Sequence, residues 1–97
     1  MFIVNITYKV SLDVIDKYLD KHIEYLKIQY EKGSFIASGK KNPRDGGMIF
    51  SKISSKEKLQ KVLEEDPFYK EALAQYEIIE FHPIMTSKEF ETLKEEI

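Results

Sequence analysis

An α+β fold is predicted, with four strands and two main helices following one another as strand, helix, strand, strand, helix, strand. Three observations carry that expectation. The chain opens on a period-two run in which Phe2, Val4, Ile6 and Tyr8 alternate with Ile3, Asn5 and Thr7, as a half-buried strand requires. From Ser11, a capping residue type, Leu12, Ile15, Leu19, Ile23, Leu26 and Tyr30 recur at three- and four-residue intervals until Gly33, the spacing of a long amphipathic helix. Two short apolar runs, a second helical pattern and a last alternating run complete the order.

The short runs are "SFIASG", 34–39, and "GMIFSKI", 47–53, separated by "KKNPRDG". Pro, Asn and Asp-Gly in the connection predict a hairpin with a polar loop. In "SSKEKLQKVLEED", Ser54 or Ser55 caps a second helix that sets Leu59, Val62 and Leu63 on one face. Asp66 then precedes Pro67. A residue before proline is pushed out of the helical region, so the second helix should stop near Glu65. Aspartate at a cap and proline at the first helical position start a new turn, running through Tyr69 and Lys70 toward Ala74.

"YEIIEFHPI", 76–84, alternates and reads as the fourth strand, with Tyr76 and Phe81 as sheet residues, while "TSKEFETLKEEI" predicts a final helix through Phe90, Leu93 and Ile97. The order is βαββαβ, the ferredoxin-like arrangement. It gives a four-stranded antiparallel sheet with both main helices on one face, plus an extra C-terminal helix. The chain is read as one domain over 1–97, with its core in 1–84 and a helical extension in 85–97. A sheet face left bare with Phe, Ile and Val side chains needs cover, so a homodimer through the sheet faces is expected.

Composition removes several function classes. The formal charge is −2 over 97 residues, with acids and bases interspersed, which leaves no broad basic face for nucleic acid. There are no cysteines, hence no disulfide scaffold and no thiol chemistry. The opening "MFIVN" has an apolar run too short for a leader core or a membrane span. A cytoplasmic protein without membrane contact is expected. No motif for a cofactor is present, and a metal is disfavoured because His82 has no second ligand at helical spacing.

His22 lies on the inward side of the first helix, roughly 40° from the centre of its apolar stripe at about 100° per residue. An inward imidazole needs a hydrogen-bond partner. A backbone carbonyl or a tyrosine hydroxyl would make it a core histidine, and a carboxylate would make it a poised acid–base group. Asp66 is open in the same way, because a carboxylate that caps a helix retains acceptor capacity for an imidazole N–H. Arg44, near Lys40 and Lys41, sits with Gly46 and Gly47 in the only local concentration of positive charge. It reads either as a solvated loop or as a cradle for a small anion. Phe68 follows the cap and proline, where packing into the core and contact with a substrate are both open.

The ordered set "MFIVNITY", "KHIEYL", "ASG", "PRDGG", "EEDPF" and "ALAQYEIIEF" resembles the YCII-related (YciI-like) family over nearly the whole chain up to Pro83. That resemblance implies the dimeric α+β barrel type of ferredoxin-like fold, two sheets packed face to face, and a pocket where a histidine meets an aspartate. It places His22 and Asp66 at those two positions, with Ser38, Gly39, Gly46 and Gly47 at the small residues beside the pocket. The tail after Ile84 is not covered.

Together these readings predict a small enzyme in which His22 and Asp66 move a proton. Isomerisation or elimination fits, the resemblance implying a small organic substrate, aromatic or carbonyl-containing, with Ser38, Gly39, Arg44, Gly46, Gly47 and Phe68 as substrate-binding candidates. The other reading keeps the same fold as a non-catalytic module that binds a small ligand.

Overall fold

The computed structural model describes residues 1–95. Ile97, assigned above to the last helix, lies outside them. The order is β1 (Phe2–Tyr8), α1 (Leu12–Glu31), β2 (Phe35–Lys40), β3 (Gly46–Ser51), α2 (Lys56–Leu63), α3 (Pro67–Lys70) and β4 (Ala74–Glu80), followed by a 3₁₀ helix, Lys88–Leu93. The sheet runs β2-β3-β1-β4, with every neighbouring pair antiparallel. This is the ferredoxin-like α+β fold.

The alternation in β1 decides how the layers stack. Phe2, Val4 and Ile6 are buried beneath the helices with Ile49, Leu59, Leu63 and Tyr25. On the opposite face, register places Phe50 and Ile79 on either side of Ile3. Phe50 and Ile79 are both exposed, so an apolar row runs across the open side of the sheet.

Helix α1 buries a narrower stripe than its spacing suggests. Ile15, Tyr25 and Gln29 are buried, whereas Leu12, Ile23 and Tyr30 are exposed. The reason is geometric: Leu19, Ile23 and Leu26 border a cavity, so Leu19 and Leu26 are only partly buried against the core and Ile23 is left exposed. Ser11 occupies the N-cap position without a side-chain bond, and Gly33, one residue past the cap, turns the chain at φ +75°, a conformation open to glycine at little cost.

Two boundaries differ from expectation, both because a partner strand sets them. β4 begins at Ala74, two residues after Ala72 turns the chain at φ 54°. It pairs with β1 from Tyr8 back to Phe2 and stops at Glu80, opposite Phe2, the first residue of β1. Phe81 is therefore outside the strand and exposed, although its N–H still donates to the Met1 carbonyl at 2.8 Å. β3 likewise ends at Ser51, opposite Phe2. The expected final α-helix is a 3₁₀ segment broken at Phe90, with no buried residue. A short helix without a packed face lacks the tertiary contacts that sustain α-helical turns. No helix among the described residues is long and apolar enough to cross a membrane.

Candidate active site

The break between α2 and α3 creates the site. Ser55 caps α2 by accepting from the Lys58 N–H at 3.2 Å, and α2 ends at Leu63. Asp66 follows in extended conformation as the cap of α3, with Pro67 at the first helical position. Its Oδ1 accepts from the Phe68 N–H at 3.0 Å. The same oxygen lies 2.8 Å from His22 Nδ1, and Oδ2 accepts from the Tyr76 hydroxyl at 2.6 Å. The Asp66 side chain has no exposed surface. Three donors on a fully buried carboxylate meet the demand that burial creates.

Each partner arrives from a different element: His22 from α1, Phe68 from the turn itself and Tyr76 from β4 opposite Ile6. Burial first, then the Asp66 carboxylate, push the Tyr76 phenol far above its ordinary value. The phenol stays protonated and acts as donor. Tyr25 is pushed up in the same way, by burial and then by Asp66, and donates to the Val62 carbonyl at 2.7 Å. With Asp66 accepting at Nδ1, the neutral imidazole carries its proton there, and Nε2 has the lone pair.

The ring is also clamped. Phe68, itself buried, stacks on His22 with centroids 4.1 Å apart and planes 9° from parallel, and Tyr8 meets Phe68 edge to face at 5.9 Å. His22 forms part of the wall of a cavity of about 460 Å³, together with Leu19, Ile23 and Leu26 of α1, Ile6 and Tyr8 of β1, and Ile49 of β3. Asp66 lies beneath the imidazole and does not reach the wall. Among the described residues Nε2 has no hydrogen-bond partner and is not a buried orphan.

The remaining candidates divide. Ser38, Gly39, Arg44, Gly47 and Phe68 line the cavity. The Ser38 hydroxyl shares a 2.6 Å hydrogen bond with Tyr30. Gly46 is buried in β3 away from the wall, and a Cβ there would stand 1.7 Å from the Ile6 carbonyl oxygen. Its glycine serves close strand approach. Gly46 and Gly47 are the first two residues of β3, in register with Thr7 and Ile6 of β1, and are not part of the loop that carries Arg44. Arg44 reaches across from the β2–β3 loop to Asp16 on α1, with Nη2 at 2.5 Å from Oδ1.

Tyr8 and Asp16 are the lining residues that the sequence did not single out; Tyr76 was read only as a sheet residue and Lys40 only as a neighbour of Arg44. The signal for Tyr76 was a phenol at an inward strand position, since a buried hydroxyl requires a partner. No group of three or more His, Cys, Asp or Glu side chains able to hold a metal occurs among the described residues.

Among curated proteins none matches the sequence. Solved structures match the fold. One is 5-chloro-2-hydroxyhydroquinone dehydrochlorinase (TftG) from Burkholderia phenoliruptrix AC1100, in complex with 2,5-dihydroxybenzoquinone. The TM-score is 0.71 at 18% identity, covering 86% of this chain and 95% of that one. At that identity the likeness establishes the fold alone. The model of the YCII-related domain matches residues 1–82, which contain His22, Arg44, Asp66 and Tyr76 and exclude the tail. A match over so much of the sequence assigns the chain to the YCII-related family.

Proposed function

We propose that the chain is a small acid–base enzyme of isomerase or lyase type, acting on a small aromatic or carbonyl-bearing molecule. One observation carries the reading: His22 is held by the fully buried Asp66 carboxylate at 2.8 Å while the other side of its ring borders the cavity. Nε2 takes a proton from a carbon or hydroxyl of the bound molecule. The released electron pair either expels a leaving group, in which case the imidazolium gives its proton to that group or to solvent, or shifts within the molecule, in which case the imidazolium delivers the proton to another of its atoms. Asp66 stabilises that imidazolium and fixes the ring. The dehydrochlorinase with this fold supports the substrate class, since its name describes elimination from a hydroxylated ring.

The active form is a homodimer through the open sheet face, where the row Phe50, Ile3 and Ile79 is available for cover. A positioned acid–base group contributes about 10²–10⁴-fold to rate. Once a substrate screen finds turnover, His22→Ala and Asp66→Asn lower it by about that factor while circular dichroism and light scattering show the fold and dimer intact. Turnover that survives both substitutions shows the acid–base assignment to be wrong.

A further inference from the structure

The cavity wall carries charge that the acid–base pair does not use. Arg44 and Lys40 line it, with Asp16 as the one carboxylate on the same wall, in a chain whose net charge is −2. Asp16 is already engaged by Arg44. Lys40 has no carboxylate partner among the described residues. Its register opposite Gly47, two residues from Ser38, puts it on the helix-covered face of β2. The cavity therefore carries one unbalanced positive charge.

Arg44 is built to present donors. Asp16 fixes one N–H of the guanidinium, which leaves others of its rigid fork free. Tyr8 adds a neutral phenol: burial raises it and the Arg44 guanidinium beside it acts in the opposite direction, with the upward effect larger. It remains a donor at neutral pH. Asp16, which holds Arg44, and His22 are six residues apart on α1, about 9 Å along the helix axis, so the guanidinium and the imidazole meet the cavity at separate points of its wall. The apolar part of the wall includes Leu19, Ile23 and Ile6, and Phe68 stacks on the imidazole.

We propose that the cavity selects a small monocyclic organic anion, with its carboxylate or phenolate oxygen held by Arg44, Tyr8 and Lys40 and the opposite edge of the ring presented to His22. The inference rests on the acid–base reading for the second half of that statement and on the cationic pole for the first. Recognition is charge-assisted, so it discriminates between an acid and its uncharged isostere.

The probes are 4-hydroxybenzoate and 4-hydroxybenzamide, titrated into the intact protein by calorimetry and by the ring signals of His22 and Phe68 in NMR spectra. The acid binds at least about tenfold tighter than the amide. Arg44→Gln combined with Lys40→Gln abolishes that preference, and Arg44→Lys keeps part of it. Equal affinities in the parent protein, no binding of either probe, or a preference that survives the double substitution each overturn the proposal. His22→Ala separates the two readings. If it retains the acid preference and also retains turnover, the anion site stands and the acid–base assignment falls. If the acid preference is absent while His22→Ala abolishes turnover, the reverse holds.

Discussion

Each of the two histidines has a carboxylate at its Nδ1, and the two distances barely distinguish them. His22 Nδ1 lies 2.8 Å from Asp66 Oδ1, and His82 Nδ1 lies 3.0 Å from Glu95 Oε1. Their surroundings differ completely. The first pair has side chains 13% and 0% exposed, the second 44% and 28%. Asp66 is fixed by a helix cap and a tyrosine, and its histidine by a stacked phenylalanine. Glu95 stands on a tail with no packed helix and is also in contact with the Met1 ammonium group. A short contact is common to both; only the inner pair has a shell that restricts it to one geometry and a cavity beside it.

The largest test of that difference is stability. Asp66→Ala removes the cap of α3 and strands a buried phenol and an imidazole N–H. The cap is worth about 1 kcal/mol and each orphaned polar group about 1–3 kcal/mol, so the loss by urea unfolding should be at least about 3 kcal/mol. Glu95→Ala should shift the urea midpoint far less. Equal losses at the two positions would show that the inner network has no structural weight beyond a surface contact.

Tyr76→Phe sharpens the same contrast through pH. The Tyr76 and Tyr25 phenols are raised by burial in the folded state, while the unfolded chain releases these protons from about pH 10. Stability attached to them is complete below that pH and falls as pH rises through it toward the higher folded values. Tyr76→Phe removes one such proton, which makes the alkaline decline shallower by about 1.4 kcal/mol per pH unit. At neutral pH the same change leaves Asp66 one donor short, at a cost of about 1–2 kcal/mol. Unfolding midpoints measured from pH 8 to 12 check both statements, and an unchanged alkaline slope would remove Tyr76 from the network.

What could be read from the sequence follows the range of the interactions. Asp66 with Pro67 is a local signal, because capping and the proline constraint act within three residues, and the turn forms where the dipeptide places it. His22 was legible as an inward residue through helix periodicity. Its partner lies 44 positions away and came from family resemblance instead of from pattern. Tyr76 was hidden, since an alternating strand accepts any large apolar side chain at that position and the hydroxyl's destination depends on how α3 docks. The cavity was hidden for the opposite reason: Leu19, Ile23 and Leu26 have the spacing of core residues, and nothing local tells a packed wall from an open one. The length of β4 was set by β1, and the tail by contacts to both chain-start and strand-end groups.

The smallest expected effect belongs to Glu95. Its carboxyl is held below the ordinary 4.5 first by the hydrogen bond from the Met1 ammonium and then by that from His82. The stability this contributes is present above about pH 4.5 and lost as pH falls through the lower folded value. Glu95→Gln should therefore flatten only the acid limb of the stability curve, by an amount that added salt reduces because the groups are accessible to solvent. Turnover at neutral pH and the signals of His22 should not respond. A substitution at Glu95 that perturbed the imidazole of His22 would mean that the two pairs are coupled through β4, whose ends hold Tyr76 near one pair and Glu80 near the other. Two pairs that act independently leave the inner one free to do chemistry while the outer one only tethers the tail.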